Sequence, residues 1–564
     1  MRADPDTIAA GARPRSRTAP SARSVAGLTR GSAGRALAAH AGVLAVTAIA
    51  AVLQWGASRA DEATASDASP IAAAAPSAPA RSADGPADGC KKGSENEGIW
   101  SRLQDSYASH FEWNGGDPNA PPTVVVGGAE IPESNPPWPY ATWNIGGSEA
   151  IGVENMYYSA VMDAIYCGPH GQAWKDSRFT IYGWIEPGAN ISTSHTRFNY
   201  VTGTGGNYPA AYSFEPNTVQ LDQLALYLER TPDEVQREHF DWGGRFAAIY
   251  GTDYKYTFSN GILSNQYEQS AKQNGFDPVM YYLDFWFPHV AEGMNLRVGR
   301  YISIPDIEAQ LAPNNITYSH SLLYTVDPYT QHGVVSTIRL DKNWQLQTEL
   351  SFGNDVAPWV KNDRQLTPAA CVIWTSDDGK DSIYPCMNGL NDSRWNWNNI
   401  QHAVVTWYHK FDAKWHTDTE AWYMWESHTP NVNNPAGAAI IAADFPYVTY
   451  GAPGGAICPA DRVTCYSYEW ALVNYINYQF GPRDIATWRT DYMDDARGQR
   501  TGFKTRYYEF DLSYTHWVGD VLELRPELRF EHARDVDAYD NPAATPGAGR
   551  NSQLMVAADL IFHF

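Results

Sequence analysis

Residues 520–532 run Asp520-Val521-Leu522-Glu523-Leu524-Arg525-Pro526-Glu527-Leu528-Arg529-Phe530-Glu531-His532. Successive side chains of an extended chain point to opposite sides, so Leu522, Leu524, Leu528 and Phe530 share one face. Glu523, Arg525, Glu527, Arg529 and Glu531 share the other. Charges of alternating sign on one face need water or each other, while the opposite face suits lipid. The last residues repeat the pattern, with Leu554, Val556, Ala558, Leu560, Phe562 and Phe564 alternating with Gln553, Met555, Ala557, Asp559, Ile561 and His563. Val279, Tyr281, Leu283, Phe285 and Phe287 alternate with Met280, Tyr282, Asp284 and Trp286, and His416, Asp418 and Glu420 oppose Ala421, Tyr423 and Trp425. From about Arg178 to the end the chain is patterned with period two.

A soluble β-sandwich alternates as well, so connection lengths have to decide. Short links at 229–241, 288–294, 341–344, 411–414, 480–484 and 517–520 are separated by longer ones, the short link near 495–503 excepted. Tight turns at one end and long loops at the other are the asymmetry of an outer-membrane barrel. Strand cores near 178, 218, 241, 278, 294, 332, 344, 399, 414, 466, 484, 503, 520 and 552 predict an all-β, transmembrane antiparallel barrel of about 14 strands. Sixteen is the alternative, should 318–326 contribute a hairpin. On this parity Arg300 falls on the side of Leu296 and Val298, so the strand ends before it or a bulge intervenes.

Composition agrees. Among 564 residues, 41 Lys and Arg face 63 Asp and Glu, a net charge of -22 that excludes a basic nucleic-acid binder. The long apolar stretch at 36–53 stands alone, which excludes a multi-span helical transporter. The mean hydropathy of -0.43 fits apolar side chains dispersed by alternation, and 21 Trp and 34 Tyr suit interfacial girdles.

Ahead of that stretch stand Arg2, Arg13, Arg15, Arg17, Arg23, Arg30 and Arg35, and Ala57-Ser58-Arg59-Ala60 follows it. Residues 1–60 therefore read as a cleaved signal peptide, whose removal leaves 33 basic against 61 acidic residues, about -28. Residues 61–135 read as a disordered Ala/Ser/Pro linker holding a short helix at 95–111, in which Ile99, Trp100, Leu103 and Tyr107 share a face. That helix would rest on the periplasmic rim or enter the barrel as a plug. Residues 136–177 form a lead-in and 178–564 the barrel. Six cysteines in an exported chain imply disulfides, and the close pairs Cys371/Cys386 and Cys458/Cys465 read as loop staples, with the pairing open. Cys90 is rejected as a lipid attachment site because Asp88 falls inside the would-be lipobox.

Several phrases in this frame resemble the OmpL-like β-barrel porin family: WKDSRFTIYGWIEP at 174–187, NTVQLDQLALYLERTPD at 217–233, FDWGGRFAAIY at 240–250 and the block 275–359, with GFDPVMYYLDFWFPHVAEGMNLRVGRYISIPDIEAQLAPNN and SFGNDVAPW. The resemblance runs from about Pro137 to the end. It implies a single-chain barrel in the Gram-negative outer membrane that passes small hydrophilic solutes, with no catalytic motif. Phe564, at the end of its apolar face, looks like the C-terminal signal read by the barrel-assembly machinery.

The third outer loop, about 303–331, carries Ile304, Ile307 and Leu311, which would be wasted in open solvent, so it is expected to fold inward as a constriction. Asp306 and Glu308 would set its negative side, faced by Arg245, Arg297, Arg525 and Arg529 from the wall; opposed charges across a narrow aqueous gap set ion selectivity. The partners expected are outer-membrane lipids, small solutes and the assembly machinery, with a homo-oligomer open. No cofactor is called for. Asp377-Asp378-Gly379-Lys380-Asp381 lacks the bidentate Glu of a calcium loop, so no metal is expected. The chain has no GxSxG, HExxH, P-loop or dinucleotide motif and reads as a non-enzyme. The alternatives are a receptor or adhesin barrel and, further off, an outer-membrane hydrolase with a Ser/His pair on adjacent strands near the outer rim.

Overall fold

The computed structural model describes residues 90, 91, 93–112 and 159–564, apart from 200–203, 211, 235, 269, 271, 305, 393, 397, 413, 445–454, 482 and 543–546. The signal peptide proposed at 1–60, and 61–89, 113–135 and 136–158 of the linker and lead-in, lie outside the described residues.

The described residues form sixteen strands: β1 Phe179–Ser192, β2 Val219–Arg230, β3 Asp241–Gly251, β4 Gly275–Phe287, β5 Met294–Ile302, β6 Thr330–Arg339, β7 Trp344–Asn354, β8 Thr367–Thr375, β9 Asp381–Asn388, β10 Gln401–Lys410, β11 Trp415–Pro430, β12 Thr464–Gly481, β13 Asp484–Asp495, β14 Thr505–Val518, β15 Leu522–Ala533 and β16 Ser552–His563. Each pairs antiparallel with its sequence neighbours, and β1 closes on β16 with Trp184 opposite His563 and Ser192 opposite Met555. Closure leaves no strand edge unpaired. The alternation sets the faces. In β15 Leu524, Leu528 and Phe530 are exposed on the outer wall, whereas Glu523, Arg525, Glu527, Arg529 and Glu531 are buried in the lumen.

The main expectation of about 14 strands is corrected to sixteen. The missing hairpin is β8–β9 and not 318–326, which lies in the third outer loop and contains a short 3-10 turn at Tyr324–Val326. Both missed strands are short and carry a proline, Pro368 and Pro385, a residue that argues against strand because it has no N–H to donate. Between them Cys371 and Cys386 are opposed in register and joined by a disulfide, which makes this pair a cross-strand bridge in the wall and not a staple within a loop. Cys458–Cys465 closes the sixth outer loop onto β12, and Cys90 is bonded to Cys167. Arg300 belongs to neither expected case. β5 runs on to Ile302 without a register shift, and Gly299, at φ +146°, precedes a fully buried Arg300 side chain bound to Asp277 at 3.0 Å.

At the end with the short turns, outward aromatics form a belt: Phe240 with Phe285 and Phe287, Trp344 with Trp374, and Trp415, Tyr478, Phe480 and Tyr514 in a row. Three helices stand at this end: α1 Ile99–Phe111, α2 Ala160–Tyr166 and α3 Gly171–Ser177. Ser159 caps α2 by accepting from Met162 N, and Arg102 and Ser106 of α1 donate to the α2 carbonyls of Ala164 and Ala160 at 2.8 and 2.7 Å. His110 joins α1 to the barrel, 2.8 Å from Asp163 of α2 and 2.8 Å from Asp520 of the β14–β15 turn. That turn leaves room only for Gly519, at φ +61°, where a Cβ would run into the His110 carbonyl.

Candidate functional site: the third loop in the lumen

The chain between β5 and β6, residues 303–329, is too apolar to stay in water. Ile304, Ile307, Leu311, Leu322, Leu323, Tyr324 and Val326 are all buried, each contributing about 1.5–3 kcal/mol by leaving solvent. The loop enters the barrel and crosses to the far wall. Near its entry Ile307 N donates to Glu420 of β11 at 2.8 Å. Gln223 of β2 donates to Gln310 O at 2.8 Å and accepts from Ala312 N. At the far side Arg525 donates to Ala312 O and Asn315 O at 2.8 and 2.7 Å, Thr515 to Ile316 O at 2.9 Å, and Arg489 to Thr317 Oγ1 and Ser319 O at 2.8 and 2.6 Å. Glu527 accepts from Ser319 N, Arg529 donates to His320 O, and Asp491 accepts from Leu322 N. Backbone groups that a buried loop would otherwise strand are thus met by inward side chains of β2, β11, β13, β14 and β15.

Tyr318 marks the closest approach. Its hydroxyl donates to Asp222 Oδ2 at 2.9 Å over Gly188 of β1, where a Cβ would collide with both groups. Beside it the loop meets the first two outer loops. His320 stacks between Tyr212 and Tyr324 at 3.8 and 4.6 Å, and Tyr212 stacks on Tyr256 at 4.3 Å. Apolar burial holds the three loops together, with aromatic stacking adding about 0.5–1.5 kcal/mol per pair.

The residues read from the sequence fall into two groups. Asp306 and Glu308 are both buried on the loop: Asp306 has Asp327 and Glu420 among its charged neighbours, and Glu308 accepts from Ser321 N at 2.8 Å and from the Ser321 hydroxyl. Arg525 and Arg529 reach the loop through its carbonyls and are also paired with wall carboxylates, Arg525 with Asp559 and Glu186, Arg529 with Glu509 and Glu531 at 2.7 and 2.8 Å. Arg245 and Arg297 are bound to wall carboxylates, Glu229 at 2.7 Å and Asp284 at 2.9 Å. All four guanidiniums are therefore engaged by carboxylates of their own wall. Sequence reasoning missed Arg489, fully buried and bound to Glu509 at 2.6 Å, although the alternation of Thr487, Arg489, Asp491 and Met493 places it inward. It also missed Asp222, Gln223 and Arg500; Arg500 donates to Val326 O at 2.8 Å.

A polar contact that joins a serine to a histidine lies on the outer wall near the long loops. His532 Nδ1 is 2.8 Å from Ser552 Oγ, on adjacent strands, and the same hydroxyl is 3.2 Å from Asn551 Oδ1. Among the described residues none bonds His532 Nε2, the position from which a third group orients a catalytic imidazole.

Among solved structures, the anion-selective porin from Comamonas acidovorans is similar over 68% of this chain and 99% of its own, with 9% identity and a TM-score of 0.40. The outer membrane channel DcaP of Acinetobacter baumannii is similar over 68% and 97%, with 12% identity and a TM-score of 0.41. The trimer form of OmpT from Vibrio cholerae is similar over 68% and 99%, with 7% identity and a TM-score of 0.38. Likeness at this distance says nothing of solute or selectivity. No curated protein matches the chain. The family model described as "Putative beta-barrel porin-2, OmpL-like" matches residues 178–564, the whole sixteen-stranded wall with its loops, and the chain belongs to that family of outer-membrane barrels.

Proposed function

We propose that the barrel passes small hydrophilic solutes across the outer membrane, with the third loop as its constriction. The observation that carries this reading is the span of residues 303–329 from β5 to the opposite wall, anchored to five other strands. Whatever passes has to pass beside it. Asp306 and Glu308 give the path a preference for cations, because Arg489, Arg525 and Arg529 are paired with wall carboxylates while both acids lie on the obstructing segment. In planar bilayers, Asp306→Asn with Glu308→Gln shifts the reversal potential toward anions and changes the conductance. Unchanged selectivity and conductance in that variant reject the constriction role, and an anion preference in the native chain rejects the cation preference.

The packing of the first three outer loops into one apolar cluster favours a second reading, a receptor or adhesin that conducts nothing. Well-folded, heat-modifiable protein that forms no channels in bilayers would establish it. A hydrolase has the Ser552–His532 contact in its favour, and an ester-hydrolysis rate that survives Ser552→Ala removes it.

A further inference from the structure

Helix α1 has an apolar stripe whose two ends, Trp100 and Phe111, are left exposed by the described residues. Trp100, Tyr107 and Phe111, at i, i+7 and i+11, fall within an arc of about 40° on a helix of 3.6 residues per turn. Asp105, Ser109 and Glu112 occupy the opposite side, with Ser101 and Ala108 on the flank between, and Arg102, Ser106 and His110 take the other edge, against α2 and the β14–β15 turn. The direction of the stripe is fixed by its middle member. Tyr107 stacks on Phe562 with ring centroids 5.7 Å apart. Phe562 belongs to the outward face of β16 with Leu554, Val556 and Leu560, the face that meets lipid. Three and four residues later His110 and Phe111 sit on the β14–β15 turn, so α1 runs along the rim of the barrel and not away from it.

Trp100 is 78% exposed, and Ile99 and Phe111 are exposed as well. Full exposure of an indole to water is costly, but an indole at the boundary of headgroups and acyl chains keeps its ring in an apolar medium and its N–H wet. The belt of outward aromatics at the short-turn end supports that level for the stripe. It runs through Trp415, Tyr478, Phe480 and Tyr514, and on β14–β16 it gives way to Val518, Leu522 and Phe562, where α1 lies. We propose that α1 is an interfacial helix of the periplasmic leaflet, its Trp100–Tyr107–Phe111 stripe set against phospholipid so that it continues the aromatic belt across β14, β15 and β16. The helix is then a part of the membrane-facing surface that lies outside the strands. The occupant is lipid because the stripe is continuous with a lipid-facing wall and carries no charge.

The test uses the full chain refolded in phosphatidylethanolamine/phosphatidylglycerol vesicles. All six cysteines of the native chain are bridged, so a nitroxide label goes only to an added one. Labels are placed by Trp100→Cys on the stripe, Ser109→Cys on the opposite side and Leu560→Cys on the lipid-facing wall, all exposed positions. Collision with oxygen and with a water-soluble nickel chelate is read by electron paramagnetic resonance. The label at 100 is expected to favour oxygen, like that at 560, and the label at 109 to favour the chelate. A label at 100 as accessible to the chelate as that at 109 overturns the proposal. So does one shielded from both reagents with dipolar broadening between copies, since a second protein copy then covers the stripe.

Discussion

Arg525→Met tests whether the third loop is held as tightly as its geometry implies. The guanidinium is fully buried, lies 3.1 Å from Asp559 through Nε, and donates to the carbonyls of Ala312 and Asn315 at 2.8 and 2.7 Å. Removing one partner of a buried ion pair costs about 3–5 kcal/mol because the other charge is stranded. The two loop carbonyls lose hydrogen bonds to a charged donor, each about 1.5–3 kcal/mol, but the effects overlap and water can refill part of the site. We expect a net loss of about 4 kcal/mol in the free energy of unfolding. Asp559→Asn removes the stranded charge, so the double variant should lose less than the sum of the singles, with a coupling of about 2 kcal/mol. Urea titration of vesicle-embedded protein, followed by tryptophan emission and by heat-shifted gel mobility, supplies all four corners of the cycle. A single-variant loss below about 1 kcal/mol, or additivity within about 0.5 kcal/mol, would refute the buried pair and with it the anchoring of the loop.

Other consequences are as direct. Gly188→Val fills the space in which Tyr318 meets Asp222; overpacking of this kind costs about 1–3 kcal/mol, and urea unfolding should show it together with a raised single-channel conductance as the loop is pushed from the wall. Burial alone would lower the His110 pKa, but hydrogen bonds to Asp163 and Asp520 and their charges outweigh it and raise the pKa to about 9. A raised folded-state value means that the contribution of the His110 charge to holding α1, on the order of 3 kcal/mol, is fully present below pH 6.5 and is lost as pH rises through about 9. Amide exchange in α1 should accelerate across that interval in the native chain and show no such step in His110→Gln. Reduction of Cys371–Cys386 should raise exchange in β8 and β9 before it does so in β14 and β15, because the β8–β9 ladder is interrupted between Cys371 and Trp374. Equal protection of the two hairpins after reduction would count against this.

Period two is readable where the two faces of a strand meet unlike surroundings, and β15 meets lipid on one side and a charged lumen on the other. It fades where the strand is short and broken by proline, as in Thr367–Thr375 and Asp381–Asn388, and that is how two strands were missed. The inward turn of the third loop was legible because Ile304, Ile307 and Leu311 have no place in water. Its partners were not. The residues that hold it, Arg489, Asp491, Thr515, Arg525 and Glu527, are 169–213 positions away in the chain, and nothing local in either segment names the other. Parity could place Arg525 and Arg529 in the lumen, but not show that they would bind backbone carbonyls of the loop.

The distance in sequence between the third loop and its seats also limits how this barrel can be recombined. Hairpins of a meander look interchangeable, since each pairs only with its neighbours. Here a graft that replaced β13–β15 with hairpins from a relative would leave the wall closed and residues 315–322 without donors or acceptors at their far end. A transplant of the loop into a relative would fail for the complementary reason. The smallest unit of exchange is the loop together with the three strands that receive its far end, two stretches of chain that share no hairpin and would have to move as one.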